Sequence, residues 1–254
     1  GHRGKVYAES AALDHLDASG LTDVPRVVLA DPAHDPPALV LSWLATRDSL
    51  ERRRGERSRA LGHQFGAWLA GLHETRVSGD RVKMSTDPLT LPERLRTQAR
   101  QAVERVGRAE SHHSLLSNAL AWLEQGLDQR RVLASDRRMV HRDLRPDNIL
   151  TDGSTLAGVV DFEHAAAADP AWDFAKLRWW CFDRIPWLEA PFVEGYTSVR
   201  ALPDEPRRRI FRVFEATTLL AYFAGKQSTY EREARRQLIA ELDGAPRPKW
   251  SGDW

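Results

Sequence analysis

The chain has 254 residues, of which 42% are hydrophobic, so it is long enough to bury a full core as one large domain or two lobes. Its 37 basic and 36 acidic residues nearly cancel, which gives no electrostatic reason to expect nucleic acid or an anionic membrane as a partner. The single cysteine excludes an internal disulfide framework, and neither a signal-peptide pattern nor an apolar run of about 18 residues occurs. We therefore expect a globular, cytoplasmic protein without a membrane partner.

The first half of the chain predicts a helix, a pair of strands and further helices. Apolar residues at helical spacing predict an opening helix from Val6 to Leu16. Residues 24–31 and 38–44 are typical of short strands, and we expect them to pair because the segment between them is rich in turn-forming proline and aspartate. An apolar stripe predicts a long helix over residues 49–75, and leucines spaced three and four apart predict another over 116–127.

The second half predicts a β-hairpin followed by helices. Two short apolar runs flank "TDGST", residues 151–155, whose Asp-Gly pair is typical of tight hairpins. Beyond Asp169-Pro170 the sequence is rich in aromatic residues and helical, and it continues as helices over 207–223 and 230–242. The shift from strand to helix near residue 46 predicts two parts, 1–46 and 47–254, of an α+β protein.

The stretch "HRDLRPDNIL", residues 141–150, carries most of the chemistry. Phosphoryl transfer from a nucleotide needs a group that orients the acceptor hydroxyl and accepts its proton, together with metal ligands that bridge the phosphates. Asp143 is the predicted base. Asn148, five residues on, and Asp161, at the end of an apolar strand, are the predicted Mg²⁺ ligands, because Mg²⁺ prefers oxygen.

The ordered set His141, Asp143, Asn148 and Asp161 resembles the protein-kinase-like superfamily pattern, H-x-D-x-x-x-x-N followed by a strand-borne aspartate. Within that superfamily, "VVDFEHAAAADPAWDFA" and "LGHQFGAWLAGLH" are similar to the aminoglycoside phosphotransferase family, relatives of choline kinase and homoserine kinase. The resemblance implies a two-lobed protein-kinase-like fold. Its partial N-terminal lobe, residues 1–46, would bind nucleotide, and its mainly helical C-terminal lobe, residues 47–254, would carry catalysis and acceptor binding.

The resemblance also implies supporting residues around the loop. His141 would brace the loop backbone in place of a catalytic role. Asp173, early in a helix, would either cap that helix or tie down the catalytic loop. His73 and His164 are expected to pack or hydrogen-bond within the protein and not to ligate a metal.

The nucleotide contacts implied by the resemblance are less complete. Glu9 is the candidate for the glutamate that pairs with a phosphate-gripping lysine, but Lys5 is a poor match for that lysine because it falls on the same helix. No G-x-G-x-x-G occurs before the loop and the chain begins without methionine, so we expect a further segment upstream. Three residues at the end of the second strand are predicted to bind the nucleotide base through their backbone: Ser42, Trp43 and Leu44.

These features predict a kinase that transfers the γ-phosphoryl group of ATP or GTP to a hydroxyl of a small molecule, an antibiotic or a metabolite. A protein kinase is an alternative because Arg142 stands where the antibiotic kinases usually have glycine. Against it, Asp161 is followed by Phe-Glu, and only seven residues separate it from Asp169, which leaves no room for an activation loop. An inactive nucleotide-binding pseudokinase is the other alternative, but the intact Asp143, Asn148 and Asp161 argue against it.

The acceptor is expected to be weakly charged or anionic, with apolar or ring surface. A polycationic aminoglycoside would call for clustered carboxylates, whereas "KLRWWCFDRIPWLEAPF", residues 176–192, mixes basic and aromatic side chains. Packing of these aromatics in the core is an equally good explanation for any one of them. The candidate acceptor-binding residues are Glu163, Trp179, Trp180, Arg184 and Trp187.

Overall fold

The computed structural model describes residues 2–46, 48–52, 57–77, 82, 90–106, 111–128 and 137–244. The chain divides into two compact units, Gly1–Asp87 with Arg137–Leu202, and Pro88–Asp136 with Pro203–Trp254. The predicted boundary near residue 46 falls inside the first unit, and a division of that unit at this residue stays a prediction. In the described part of the chain, no helix has the length and apolar character needed to cross a membrane.

The first unit opens with a helix and a strand pair, as predicted. Helix α1, His2–Ser19, buries the apolar face that includes Leu13 and Leu16. Strands β1, Val27–Asp31, and β2, Ala38–Leu41, pair antiparallel. The helix is longer than the predicted one at both ends, because polar residues extend it on its exposed side.

The start of helix α2 differs from the prediction. The helix runs over Arg59–Glu74, where the Ser58 hydroxyl caps it by accepting a hydrogen bond from the Leu61 N–H at 3.1 Å. The predicted start at residue 49 is wrong, because Asp48–Ser49 forms a short strand, β3, that pairs with a strand of the later hairpin. Residues 53–56 of the predicted helix lie outside the described residues.

Four further strand segments frame the loop that carries Asp143. Strand β4, Arg138–Val140, leads into the loop, and the predicted hairpin follows it as β5, Ile149–Asp152, and β6, Thr155–Val159. Strand β7, Ala166–Ala168, returns to pair with β4. The loop therefore leaves one small sheet, of order β4-β7, and enters another, of order β3-β5-β6.

Two helices after the hairpin complete the first unit. Helix α5, Asp173–Lys176, continues into a π-helical turn, Leu177–Phe182, and helix α6, Glu189–Thr197, packs against α2. The contact between α2 and α6 is made by backbone: a Cβ atom added at Gly66 would lie 2.0 Å from the Phe192 carbonyl oxygen. One added at Gly195 would lie 1.9 Å from the His63 carbonyl oxygen, so neither position has room for a side chain.

The second unit contains four described helices, α3 Leu91–Val106, α4 His113–Asp128, α7 Glu205–Phe223 and α8 Thr229–Asp243. The last three confirm the predicted helices. Helix α3 was not predicted, because its sequence is mostly polar and two of the five residues on its buried face are alanines. Its start has a capping box, in which the Thr90 N–H donates to the Glu93 carboxylate at 2.7 Å and the Glu93 N–H donates to the Thr90 hydroxyl at 3.4 Å.

Candidate active site

A single buried carboxylate holds the start of the loop that carries Asp143. Asp173, at the start of α5, is 1% exposed and accepts hydrogen bonds from the backbone N–H groups of His141 at 2.9 Å and Arg142 at 2.6 Å. The His73 ring nitrogen Nε2 lies 3.0 Å from the same carboxylate, and its Nδ1 lies 2.8 Å from the Tyr196 hydroxyl. Burial raises the pKa of Asp173, but the His73 hydrogen bond and charge outweigh it and hold that pKa below its usual range.

His141 connects the loop to the strand that precedes Asp161. Its Nδ1 accepts a hydrogen bond from the Asp143 N–H at 3.2 Å, so Nε2 carries the proton and donates to the Val160 carbonyl at 3.0 Å. The ring is fully buried, and this burial lowers its pKa and keeps it neutral. His141 therefore links the loop backbone to Val160, and its supporting role in the site stays a prediction.

The carboxylate of Asp143, the predicted base, lies between two cations. Lys176 Nζ donates to Oδ1 at 2.9 Å, and Arg145 Nε lies 3.5 Å from Oδ2. Burial raises the pKa of Asp143, but Lys176 and Arg145 together reverse that effect and leave the pKa lowered. Asp143 is thus ionised at neutral pH and can accept a hydrogen bond from a hydroxyl group.

Arg142 adopts a backbone conformation that favours glycine. Its φ angle is +67°, in the left-handed region where a side chain costs about 1–2 kcal/mol. The guanidinium carbon lies 4.0 Å from the centroid of the Trp172 ring, in a cation–π contact. The loop therefore keeps the bend that glycine would allow, while its arginine side chain packs on Trp172.

Asn148 directly precedes strand β5 of the hairpin, and Asp161 lies two residues after the end of strand β6. The Val160 N–H donates to the Asn148 carbonyl at 3.0 Å, which places Asp161 one residue beyond the partner of Asn148. The Asn148 side-chain nitrogen donates to the Asp143 carbonyl at 2.9 Å, so its oxygen is the atom left for a metal. Asp161, at φ +69°, starts a 3₁₀ turn, and its side chain makes no capping hydrogen bond to that turn.

One amide oxygen and one carboxylate fit Mg²⁺, which usually takes one or two protein ligands and completes its shell with water and phosphate oxygens. The described residues include no group of three or more His, Cys, Asp or Glu side chains that could hold a metal by themselves. The predicted ligands Asn148 and Asp161 therefore suit a metal that arrives with a nucleotide.

Glu9 and Lys5 on α1 contact the turn that follows Asp161. The Glu9 carboxylate accepts a hydrogen bond from the Phe162 N–H at 3.2 Å, and Lys5 Nζ donates to Glu163 at 2.9 Å. Burial, followed by the nearby Asp161 and Glu163 charges, raises the pKa of Glu9 despite the hydrogen bond from Phe162. The described part of the chain thus places Glu9 on the Asp161 turn, and its role toward a nucleotide stays a prediction.

The three predicted base-binding residues follow strand β2. The Ser42 N–H donates to the Arg26 carbonyl at 2.8 Å, and the Leu44 carbonyl accepts from the Thr46 N–H at 2.7 Å, so these two backbone groups are used within the chain. The Trp43 side chain between them is 74% exposed. Contact of this segment with a nucleotide base stays a prediction, for the backbone groups of Trp43 above all.

The candidate acceptor residues differ in their surroundings. Trp179 is 1% exposed and Trp180 5% exposed, so both contribute to packing. Trp180 also lies beneath the cations at Asp143, with Lys176 Nζ 5.2 Å and the Arg145 guanidinium carbon 5.6 Å from its ring centroid. Three candidates are less deeply placed: Trp187 packs partly buried against the core, Arg184 contacts Glu51 at 3.4 Å, and Glu163 pairs with Lys5. Acceptor binding by these five residues stays a prediction.

Comparison with known proteins assigns the chain to a family. The model of the phosphotransferase enzyme family, APH, matches residues 2–211, which is most of the chain. The chain belongs to this family. Its match spans both the loop with Asp143 and the turn with Asp161, so the resemblance stated from the sequence is confirmed.

Individual curated relatives match less of the chain. The homoserine kinase of Methylobacillus flagellatus is 31% identical over 175 residues, which are 66% of this chain and 50% of that protein. The homoserine kinase of Zymomonas mobilis subsp. mobilis is 40% identical over 76 residues, which are 28% of this chain and 24% of that protein. The chain spans half or less of the length of these curated relatives.

Solved structures of family members confirm the predicted α+β kinase-like fold. The gentamicin complex of APH(2")-IIa superposes with a TM-score of 0.66 at 16% identity, covering 96% of this chain and 82% of that chain. The streptomycin–ATP complex of APH(2")-IIa gives a TM-score of 0.68 at 14% identity, covering 94% of this chain and 82% of that chain. At these identities the likeness shows the fold alone.

Two site residues of this family member, Lys176 and Arg145, were not assigned from the sequence, and His73 was expected to hydrogen-bond without its partners being known. Lys176 stands three residues after Asp173, and residues three apart share a helix face, so the motif itself contained this signal. Arg145 stands two residues after Asp143 in the loop. The role of His73 depends on a contact with a residue 100 positions away, which no local pattern indicates.

Proposed function

We propose that this chain carries the catalytic site of a small-molecule kinase, which transfers the γ-phosphoryl group of ATP or GTP to a hydroxyl of an antibiotic or a metabolite. The observation that supports this most directly is the loop at Asp143. Its backbone is held by Asp173, its carboxylate is ionised between two cations, and its carbonyl orients the Asn148 amide. A purely binding protein does not need a base that is braced in this way.

The reaction requires one bond to form and one to break. The acceptor hydroxyl oxygen forms a bond to the γ-phosphorus, while the bond from that phosphorus to the β–γ bridging oxygen breaks and releases ADP or GDP. The hydroxyl proton passes to a carboxylate oxygen of Asp143. Because the pKa of Asp143 is lowered, this carboxylate orients the hydroxyl first and receives the proton late, as suits a loose transition state.

The remaining groups bind and position the nucleotide. Asn148 Oδ1 and the Asp161 carboxylate would hold Mg²⁺, which supplies positive charge to the β- and γ-phosphate oxygens. Arg145, 3.5 Å from Asp143, is placed to offset charge on the transferred group. Glu9 would contribute by fixing the backbone of the turn after Asp161, through its hydrogen bond from the Phe162 N–H.

The acceptor in this proposal is weakly charged or anionic, and has apolar or ring surface. The named relatives include homoserine kinases and, among solved structures, aminoglycoside phosphotransferases. Lys176 and Arg145 lie beside Asp143, where the acceptor hydroxyl would bind. These two cations would repel the ammonium groups of a polycationic aminoglycoside, so they favour a different class of acceptor. We place the reaction in the cytoplasm, where the lone buried thiol of Cys181 stays reduced.

The decisive experiment compares Asp143→Asn with Asp147→Asn, a matched control that removes one carboxylate from the exposed side of the same loop. The full-length protein is assayed with labelled ATP and GTP against aminoglycosides, macrolides, nucleoside antibiotics, choline and homoserine. Asp143→Asn should lower kcat by about a hundredfold or more while nucleotide affinity changes little, because the base acts in the transition state. Asp147→Asn should retain the wild-type rate.

Three results would contradict the proposed small-molecule kinase, and a fourth would contradict only its acceptor class. Equal rates for Asp143→Asn and the wild type would remove Asp143 as the base. Phosphorylation of protein substrates alone would favour a protein kinase, and nucleotide binding without turnover of any acceptor would favour a pseudokinase. Efficient turnover restricted to polycationic aminoglycosides would contradict the acceptor class and leave the phosphotransfer chemistry standing.

A further inference from the structure

We propose that Lys176 selects the acceptor, by pairing with an acidic group, a carboxylate or a phosphate, that the acceptor carries close to the hydroxyl to be phosphorylated. This inference rests on the proposed kinase function and narrows its substrate class. It makes Lys176 a specificity-determining residue, distinct from Asp143, which contacts the reacting hydroxyl itself.

The position of Lys176 is set by the same short helix that holds the loop. Asp173 and Lys176 are three residues apart on α5, so they lie on one face of it. Asp173 fixes the backbone of His141 and Arg142, and Lys176 reaches the side chain of the next residue, Asp143, at 2.9 Å. The ammonium group is therefore held at the carboxylate against which an acceptor hydroxyl would lie.

Lys176 has donors to offer an acceptor. Its ammonium group carries three N–H donors, and the hydrogen bond to Asp143 uses one of them. The Trp180 ring, 5.2 Å from Nζ, lies beside the ammonium and limits where it can move. The side chain is 19% exposed, so it can be reached from solvent while remaining largely desolvated.

Two cations contact the one carboxylate of Asp143. Lys176 Nζ lies 2.9 Å from Oδ1 of this carboxylate, and Arg145 Nε lies 3.5 Å from Oδ2. Among the neighbouring carboxylates, Glu163 is paired with Lys5 at 2.9 Å, and Asp173 accepts hydrogen bonds from the loop backbone. Burial, followed by the Lys176 charge, lowers the pKa of His164 and favours its neutral form, so His164 adds no positive charge of its own. An acidic acceptor group would complement this arrangement, and an additional ammonium group would be repelled.

The acceptor, and not the nucleotide, is the partner that this geometry indicates. Oδ1 and Oδ2 belong to the same carboxylate, so an acceptor hydroxyl oriented by Asp143 Oδ2 would lie close to Lys176 on Oδ1. The acceptor group that reaches Lys176 would therefore be only a few bonds from that hydroxyl. The predicted metal ligands are placed by a different element, the β5–β6 hairpin, on the side where the Asn148 amide contacts the Asp143 carbonyl. Arg145, on Oδ2, is the cation available to the transferred phosphoryl group.

The test uses Lys176→Met, which keeps the length of the side chain and removes its charge, with Lys176→Arg as the conservative variant. Lys226→Met is the matched control, because Lys226 is an exposed lysine that stacks on Tyr222 in the other unit. The acceptors are offered in matched pairs: L-homoserine with its carboxamide, further hydroxy acids with their carboxamides, and sugar phosphates with the parent sugars. KM, kcat and the calorimetric Kd of each acceptor and of ATP and GTP are measured for each full-length variant, after thermal unfolding confirms that it is folded.

We expect the wild type to prefer the acidic member of a pair. Lys176→Met should reduce that preference by about tenfold to a hundredfold, through KM and acceptor Kd, because a charge-assisted hydrogen bond is lost. Lys176→Arg should restore part of the preference, nucleotide Kd should stay unchanged, and Lys226→Met should match the wild type.

A wild type that prefers or equally accepts the uncharged member would overturn the inference. So would a Lys176→Met variant that loses the same factor for every acceptor, or that binds ATP and GTP more weakly. If the wild type phosphorylates no acceptor, the proposed function fails, and calorimetry still decides the inference. Binding of the acid in preference to its carboxamide, lost in Lys176→Met, would support it, and absence of such binding would overturn it.

Discussion

Replacing Asp173 by asparagine should destabilise the first unit, because the change removes a buried charge that three donors share. Oδ2 faces the His141 N–H and the His73 ring nitrogen, and Oδ1 faces the Arg142 N–H at 2.6 Å. An asparagine has one acceptor oxygen. Its best orientation keeps that oxygen toward His141 and His73 and turns its NH₂ group against the Arg142 N–H, so one hydrogen bond is lost and two donors oppose each other.

The magnitude follows from the burial of this site. Asp173 is 1% exposed, so water cannot satisfy the donor that is left over. A hydrogen bond to a charged group contributes about 1.5–3 kcal/mol, and an unpaired buried donor costs about 1–3 kcal/mol. We therefore expect the free energy of unfolding to fall by about 3 kcal/mol or more, which corresponds to about 6–12 °C in Tm for a domain of this size.

Thermal and urea unfolding of the two proteins measure this loss, and Asp204→Asn is the matched control. Asp204 is exposed and caps α7 by accepting from the Arg207 N–H at 2.8 Å, where asparagine is as good a cap as aspartate. Asp204→Asn should change stability by less than about 0.5 kcal/mol. If Asp173→Asn lowers the free energy of unfolding no more than this control does, the Asp173 carboxylate does not anchor the backbone of the loop.

Three other predictions concern the loop and the helix packing around it. Arg142→Ala should be less stable than Arg142→Gly by about 1 kcal/mol in urea unfolding. Both variants lose the stacking on Trp172, but only glycine relieves the strain of the left-handed backbone. Equal stabilities would show that the backbone at residue 142 is not strained. Burial lowers the pKa of His141 below 6.5, so the unfolded state binds more protons and stability should fall as pH drops below 6.5, less steeply in His141→Gln when Tm is followed over pH. A slope unchanged by the substitution would show that His141 does not titrate in this way. Gly66→Ala should lose about 3 kcal/mol or more because its Cβ would meet a carbonyl oxygen at 2.0 Å, whereas Gly126→Ala, whose nearest neighbour lies at 3.8 Å, should gain up to about 1 kcal/mol from helix propensity; similar losses in the two variants would refute the backbone contact.

Local signals were enough to predict the hairpin and most helices. The Asp-Gly pair between two apolar runs predicted β5 and β6, and regular apolar spacing predicted α1, α4, α7 and α8. The start of α2 was misjudged because Asp48 and Ser49 join a strand about 100 residues away. Such pairing depends on the tertiary structure, and two residues carry too little pattern to indicate it.

The candidate site shows the same division between near and distant contacts. The spacing from His141 to Asp143 and Asn148 lies within one loop and could be interpreted directly. The bracing of that loop by His73, 68 residues before His141, and the pairing of Lys5 with Glu163, at a separation of 158, depend on how helices α1 and α2 pack. These contacts bring together residues whose own neighbours give no sign of the partner.

The glycine contact between α2 and α6 sets the distance between the two helix backbones, and side chains cannot adjust that distance. Gly66 precedes His73 on α2 by about two turns, and Gly195 stands next to Tyr196 on α6, so the spacing of the two helix backbones also sets the 2.8 Å distance between the His73 ring and the Tyr196 hydroxyl. At an ordinary interface, side chains of graded size such as valine and isoleucine can adjust the distance between two helices. Where the two backbones are in direct contact, no such adjustment is available. Natural variation at these two glycines should therefore be all or none, and a chain that lost either one would have to rebuild the support of its catalytic loop from different residues.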